Sequence, residues 1–233
     1  MNDLLIIGLI LTVYFSPLFY QIYVVLKKHK EENKRVLKKL MLYLKYSLSI
    51  LFFCTLLIAI LTHINFLDYE KPITFDRYNQ ISFKNFRGLE LFKKSIYGNK
   101  RFAYVVTTID TDIDDNTITI KSLFHPSRSF VYKKNTNSSE LLTHEKYHFK
   151  ITELFTRKAK ERISKLKTFD KNKIEEIIED IKAKERLYQK KYDYDTFHSY
   201  VYSEQKRYEK EVDSLLTLLT KYQKPKINID EKN

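Results

Sequence analysis

The sequence predicts an α+β protein in which a two-helix membrane hairpin precedes a domain with a small antiparallel sheet and three helices. Three observations support this prediction. Two long apolar runs lie within the first 67 residues, alternating polar and apolar residues follow as far as Tyr132, and helical periodicity extends from there to Tyr222. The chain has 233 residues, a net charge of +13 and one cysteine, Cys54, so an intramolecular disulfide is excluded.

The predicted membrane hairpin covers residues 1–67, with spans at 4–26 and 46–67. Leu4–Leu26 contains no charged residue and as a helix would be about 34 Å long, enough to cross a hydrocarbon core about 30 Å thick. Tyr46–Leu67 is similarly apolar. The residues ahead of the first run, Met-Asn-Asp, lack the basic character of a signal peptide, so we expect an integral membrane protein.

The segment between the two runs is rich in lysine and arginine, from Lys27 to Lys39. Short basic loops remain in the cytoplasm, so residues 68–233 are expected outside the cytoplasm of a bacterial cell. Much of the net positive charge therefore lies in a segment whose basic residues orient the chain in the membrane. Because the chain also lacks a nucleic-acid recognition motif, we expect the membrane as a partner and no nucleic acid.

A small antiparallel sheet is predicted after residue 68. Ile81–Phe86 suggests a short strand that ends at Arg87-Gly88, and Phe130–Tyr132 suggests another. The runs Arg101–Ile113 and Thr117–Phe124 flank an Asp/Asn turn, which is typical of a hairpin.

Three helices are predicted to complete this domain, which covers residues 68–223. Asn137 and Glu140 have the spacing of a capping box for a helix over 138–166, and Asp170 would cap a second over 171–192. A third begins near Ser199, and residues 224–233 form a polar, frayed tail.

The first of these helices contains the sequence His144-Glu145-Lys146-Tyr147-His148, a match to H-E-x-x-H. Residues four apart on a helix differ by about 40° around its axis, so both imidazoles can reach one metal ion. A glutamate between them can take a proton from a zinc-activated water. The motif therefore predicts a zinc-dependent metallopeptidase with His144 and His148 as ligands and Glu145 as the general base.

The motif lies within a longer stretch, LLTHEKYHFKITELFTRKAKERI at Leu141–Ile163, which resembles the family called domain of unknown function 922. That family comprises predicted bacterial zinc-dependent proteases, and the resemblance extends over most of residues 73–215. The other matching pieces are ISFKNFRG (Ile81–Gly88), LFHPSRSFV (Leu123–Val131) and YDYDTFHS (Tyr192–Ser199). The resemblance implies a zincin-like fold and a peptide or protein substrate.

This chain departs from the family at several positions. Family members tend to have Trp at the positions of Phe83 and Phe130, Gln at Lys146, Asp at Lys150 and Gly at Ser199. None of these changes removes a ligand or the glutamate.

The third zinc ligand is left open by the sequence. His198, in the stretch that resembles the family, is the preferred residue, and Asp195 is the alternative. Glu153 lies about 140° around the helix axis from His148 and is expected to contact the sheet or another helix. Glu175, Glu176 and Glu179 are more typical of a solvated helix face.

Four further residues are candidates for contacts with the substrate or transition state. His125 and Arg128 follow the second hairpin strand, and Tyr192 and Tyr194 lie near His198. The sequence leaves a second functional class open as well, a non-catalytic envelope protein that binds a partner or scaffold through the same metal-binding domain. It does not indicate the oligomeric state.

Overall fold

The computed structural model describes residues 3–27, 34–63, 69–88, 103–114, 117–132 and 138–228. The chain divides into two compact units, Met1–Ile60 and Leu61–Asn233.

The first unit is helical. Helix α1 covers Asp3–Lys27, and helix α2 begins at Lys34 and ends at His63. The hydroxyl of Tyr14 on α1 donates a hydrogen bond of 2.8 Å to the carbonyl of Ser47 on α2.

One helical segment among the described residues, Lys38–Leu61, is long and apolar enough to cross a membrane, and protein buries almost none of it. This agrees with an apolar span in α2. The predicted span at 4–26 and the pairing of both helices as a membrane hairpin remain predictions.

The second unit is α+β, as predicted, with two small antiparallel sheets. Strands β3 (Thr107–Asp114) and β4 (Thr117–Phe124) form the predicted hairpin, with Ile113 opposite Ile118. The other edge of β4 pairs with β1 (Ile73–Thr74) at one end and β6 (Lys226–Asn228) at the other. A separate pair joins β2 (Ala103–Tyr104) to β5 (Phe130–Val131).

The run predicted as one strand at 101–113 therefore serves two sheets. Residues 103–104 pair in one sheet and residues 107–114 in the other, and Val105-Val106 connects them. The strand predicted at Phe130 is confirmed as β5.

Three helices cover the sheet and supply most of the core. Helix α3 spans Ser139–Ile163, α4 spans Lys171–Thr196 and α5 spans Tyr202–Leu218. Asp170 caps α4 as predicted, accepting a hydrogen bond from the backbone N–H of Lys173. The cap of α3 is Ser138, whose hydroxyl accepts from Leu141 N, so the helix begins one residue later than predicted. Asn137 lies outside the described residues.

Two predictions about local structure were wrong. Residues 81–86 form no strand, because Phe83–Asn85 turns into a short 3-10 helix that buries Phe83 and Phe86 in the core. The apolar residues of this segment recur because their side chains are buried in the core, although the backbone pairs with no strand among the described residues. The tail is also ordered in part, since β6 pairs with β4 and buries Ile227, an apolar residue within the polar segment. Residues 229–233 lie outside the described residues.

Candidate metal centre

The H-E-x-x-H residues lie on the buried face of α3. His144 and Glu145 are almost completely buried, and the side chain of His148 is 12% exposed. The same helix packs its apolar residues, such as Phe149 and Ile151, into the two core clusters of the domain. The two histidines are therefore held on a rigid element, one turn apart.

The two imidazoles converge on a carboxylate from α4. Nε2 of His144 lies 3.2 Å from Oδ1 of Asp193, and Nε2 of His148 lies 3.0 Å from the same oxygen. The two Nε2 atoms are 3.3 Å apart. Among the described residues, these three form a group that could hold a metal ion.

This donor set fits zinc. Zinc binds imidazole nitrogen and carboxylate oxygen at roughly 2.0–2.2 Å in tetrahedral geometry, which places neighbouring ligand atoms about 3.3–3.5 Å apart. The three observed separations, from 3.0 to 3.3 Å, lie at or just below that spacing. Two neutral imidazoles and one carboxylate are also a ligand set that zinc accepts in catalytic sites.

Asp193 was missed by the sequence analysis, which preferred His198 and named Asp195 as the alternative. The reason is the length of α4: the helix was predicted to end at residue 192, but it continues to Thr196. Within a helix, Asp193 and Asp195 are about 200° apart around the axis, so they face opposite sides. Gln189 and Asp193 share one face of α4 at i,i+4 spacing. A predicted helix that extended past Asp193 would have revealed that face.

Asp195 belongs to a different set of contacts. Its Oδ2 accepts hydrogen bonds of 2.6 Å from both the Tyr208 hydroxyl and the Lys191 ammonium. The observed geometry therefore gives Asp195 the role of tying α4 to α5.

His198 lies beside the group but is not one of its three members. Its Nδ1 is 3.4 Å from Asp193 Oδ1, its ring centroid is 6.0 Å from that of His144, and its side chain is 64% exposed. It is held in a turn in which Phe197, His198 and Ser199 all have positive φ, at 46°, 50° and 75°. This conformation brings the exposed imidazole back towards Asp193.

A second layer of polar contacts orients both imidazoles of the candidate site. Gln189 Nε2 donates to the carbonyl of His148 and to Glu185, which leaves its Oε1 to accept from His148 Nδ1 at 2.5 Å. The Thr196 hydroxyl donates to the Tyr192 carbonyl and can accept from His144 Nδ1 at 3.5 Å. Both rings thus direct Nε2 at Asp193, the arrangement that outer-shell partners maintain in metal sites.

The pKa values of the three clustered residues are shifted in different directions. Burial lowers the pKa of His144 to about 4. Burial also acts to lower the pKa of His148, but the Asp193 carboxylate outweighs it and raises that pKa to about 9. Burial acts to raise the pKa of Asp193, and the charge of His148 with hydrogen bonds from all three histidines holds it well below its usual range.

Glu145 lies at a cleft next to the three donors. The cleft has a volume of about 540 Å³, and its lining includes residues 103–107, Glu145, His148, Asp193 and His198. Burial raises the pKa of Glu145 to about 7, partly offset by His148 and by a backbone hydrogen bond with Val105. A carboxylate with this pKa can both accept and release a proton near neutral pH.

The four predicted substrate-contact residues are placed differently from one another. Tyr192 is fully buried, stacks on His144 with centroids 4.7 Å apart, and donates its hydroxyl to the carbonyl of His144 at 3.4 Å. It therefore packs behind the site and does not act as an oxyanion donor. Tyr194 is 85% exposed and lines a neighbouring concavity together with Asp193 and His198.

His125 and Arg128 do not line the cleft. The buried His125 ring is hydrogen-bonded through Nε2 to the Thr108 hydroxyl at 2.8 Å, and its backbone N–H donates to Val106. Arg128 lies in the short turn that follows. These contacts fix the loop after β4 to the strand beside the cleft.

Glu153 contacts the sheet, as expected from its helix phase. It accepts hydrogen bonds from Ser122 on β4 and from Arg157 one turn along α3.

Comparison of the chain with protein-family models, with curated proteins and with solved structures found no match. The resemblance to the domain of unknown function 922 family remains a prediction from the quoted residues.

Proposed function

We propose that the chain is a membrane-anchored zinc-dependent metallopeptidase that hydrolyses peptide bonds on the outer face of a bacterial membrane. The observation that carries the proposal is the convergence of His144, His148 and Asp193, with Glu145 at the adjoining cleft. A proton acceptor beside a three-ligand site with an open side is the arrangement that metal-assisted hydrolysis requires.

The chain's own residues would divide the chemistry as follows. His144, His148 and Asp193 hold the ion, which when bound lowers the pKa of a water molecule to about 7 and polarises the substrate carbonyl. Glu145 accepts the proton of the attacking water on its carboxylate and passes it to the leaving amine. His198, an exposed residue that lines the cleft, would donate a hydrogen bond to the substrate carbonyl oxygen.

The same cleft suggests how a peptide would bind. Residues 103–107 line it, and β3, which begins at Thr107, is an edge strand of its sheet within the part of the chain that the structure describes. An extended peptide can add to a strand edge through main-chain hydrogen bonds, which favours unfolded segments as substrates.

Membrane anchoring rests on the apolar helices of the first unit. Lys38–Leu61 has the length and hydropathy of a span, and Leu4–Leu26 has no charge. With the basic segment between them in the cytoplasm, the first span would carry the chain inward and the second would carry it back to the outside.

A non-catalytic metal-binding role is the second candidate, and His198 is the observation that favours it. Structural zinc sites have four protein ligands, whereas catalytic sites keep one position open. A shift of His198 Nδ1, now 3.4 Å from Asp193 Oδ1, would close the site.

The deciding experiment compares the purified full-length protein with its Glu145→Gln variant. We expect both to hold about one zinc per chain, and we expect the variant to cleave unstructured peptides 10²–10⁴-fold more slowly, the usual contribution of a general base. Glu176→Gln, which changes an exposed carboxylate of α4 that does not line the cleft, is the matched control. Equal rates in wild type and Glu145→Gln would exclude this mechanism, and zinc binding without any cleavage would favour the non-catalytic role.

A further inference from the structure

A buried lysine on α3 has no role in the proposed metal centre. Lys160 is 2% exposed. In the described part of the chain, its ammonium group donates no hydrogen bond to another side chain, and its charge is favoured by Glu153 and disfavoured by Arg157. The Glu153 carboxylate already accepts from Arg157 Nε at 2.7 Å and from the Ser122 hydroxyl at 2.6 Å. A largely buried ammonium group without a protein acceptor, facing a cavity, favours an anion as its partner.

Lys160 lines a cavity of about 630 Å³ between β4, α3 and the segment before β6. Three further lysines, Lys121, Lys221 and Lys224, line the same cavity, against the carboxylates of Asp76 and Glu153. Because Arg157 neutralises Glu153, the cavity has a clear excess of positive charge. Its residues are separate from those of the cleft beside His148.

We propose that this cavity binds a small phosphate ester, with the phosphate group on the Lys160 ammonium. The buried ammonium supplies a point charge for a phosphate oxygen, and the three outer lysines attract a dianion towards it. The cavity is much larger than a phosphate ion, and Phe75, Ile120 and Pro225 add apolar surface to its lining. The ligand therefore carries an apolar group beside its phosphate.

The proposal does not depend on peptidase activity, since none of these lysines lies in the cleft of the metal centre. Burial lowers the pKa of Lys160, and a bound phosphate would favour its charged form.

The test is calorimetric titration of the full-length protein in uncharged detergent at constant ionic strength. Phenyl phosphate should bind saturably and more tightly than inorganic phosphate, and more tightly than benzoate, which has the same ring with a carboxylate. Lys160→Met should weaken phenyl phosphate binding by at least about tenfold, because it removes one partner of a buried charge pair. Lys158→Met, which removes a half-buried lysine of the same helix that contacts Phe155 outside the cavity, should leave the binding unchanged.

A thermal melt of the same proteins keeps the test independent of folding defects. Without ligand, Lys160→Met should melt at a temperature equal to or above that of wild type, since a largely buried charge without a protein acceptor is removed. Phenyl phosphate should raise the melting temperature of wild type and of Lys158→Met but not of Lys160→Met. Equal binding by Lys160→Met, tighter binding of benzoate than of phenyl phosphate, or no saturable binding of any probe would overturn the proposal.

The source of the phosphate is distinguished in one further titration. Dioctanoyl phosphatidic acid that binds more tightly than phenyl phosphate would assign the cavity to a lipid headgroup, and weaker binding would assign it to a soluble ester.

Discussion

Oδ1 of Asp193 lies 3.0 Å from Nε2 of His148, although the two residues belong to different helices. This contact joins the H-E-x-x-H helix to its neighbour, and it identifies a ligand candidate that the motif alone does not contain.

Substitution of Asp193 by alanine should abolish zinc binding or weaken it by more than the roughly 10–100-fold that outer-shell changes produce. The carboxylate would supply one of the three proposed ligands and the only negative charge among them. Metal content measured by mass spectrometry after dialysis provides the readout. Asp195→Ala is the matched control, because it removes a carboxylate two residues away that bonds Tyr208 and Lys191. If the His198→Ala protein lost the metal while the Asp193→Ala protein retained it, His198 would be the third ligand instead of Asp193.

The metal-free protein should lose stability as the pH rises from about 6.5 to 9. The pKa of His148 is raised to about 9 in the folded chain, so its contribution is fully present below the unfolded value of about 6.5 and is lost as the pH rises through 9. Glu145, with a pKa raised to about 7, acts in the same direction up to neutrality. Urea denaturation at several pH values would measure the slope of the free energy of unfolding against pH.

Two comparisons identify the source of that slope. His148→Gln should flatten it above pH 7, because the titrating group is gone. Added zinc should flatten it too, since the ligand nitrogen is then unprotonated at every pH tested. A slope that persists unchanged in His148→Gln would assign the alkaline loss to other groups.

Ser199→Gly should stabilise the protein by about 1 kcal/mol, the net of relieved left-handed strain and added chain entropy. Ser199 has φ 75°, in the region that favours glycine, and the resembling family tends to have glycine there. For a chain of this size the melting temperature should rise by roughly 2–4 °C. Ser214→Gly, at an exposed position within α5, should instead lower stability by about 0.5 kcal/mol.

Protease added outside spheroplasts should digest the domain after residue 68, because the basic segment between Lys27 and Lys39 is expected in the cytoplasm. Immunoblotting for the domain before and after lysis gives the answer. As a comparison, replacing the lysines of that segment with glutamine should randomise the orientation and protect a fraction of the chains. Full protection of the wild-type domain until lysis would reverse the proposed topology.

Local sequence signals accounted for the elements whose stabilising contacts are also local. The β3–β4 hairpin follows from alternation around a short turn, and the start of α4 follows from the Asp170 cap. The pair His144 and His148 follows from helix geometry, which needs no information about the rest of the fold.

The remaining features depend on contacts between distant parts of the chain. Ile81 and Phe83 alternate like residues of a strand, but Phe83 lies in a 3-10 turn and both side chains are buried in a core cluster with Phe86 and residues of α3. Asp193 is one of several acidic residues on α4, and its role appears once the helix boundary and its packing against α3 are known. Lys160 reads as one lysine among many until its burial is seen.

The pairing of β6 with β4 makes the order of synthesis matter for this domain. Ile227 lies opposite Ile118 in the completed sheet, but it follows all three helices in the chain. While a ribosome is still translating α5, the edge of β4 from Thr117 to Thr119 has no strand beside it, and unpaired edges are templates for intermolecular pairing. Residues 226–228 thus protect this edge of β4 once they pair with it. A bulky fusion placed directly after them would hinder that pairing and favour aggregation of the newly made protein.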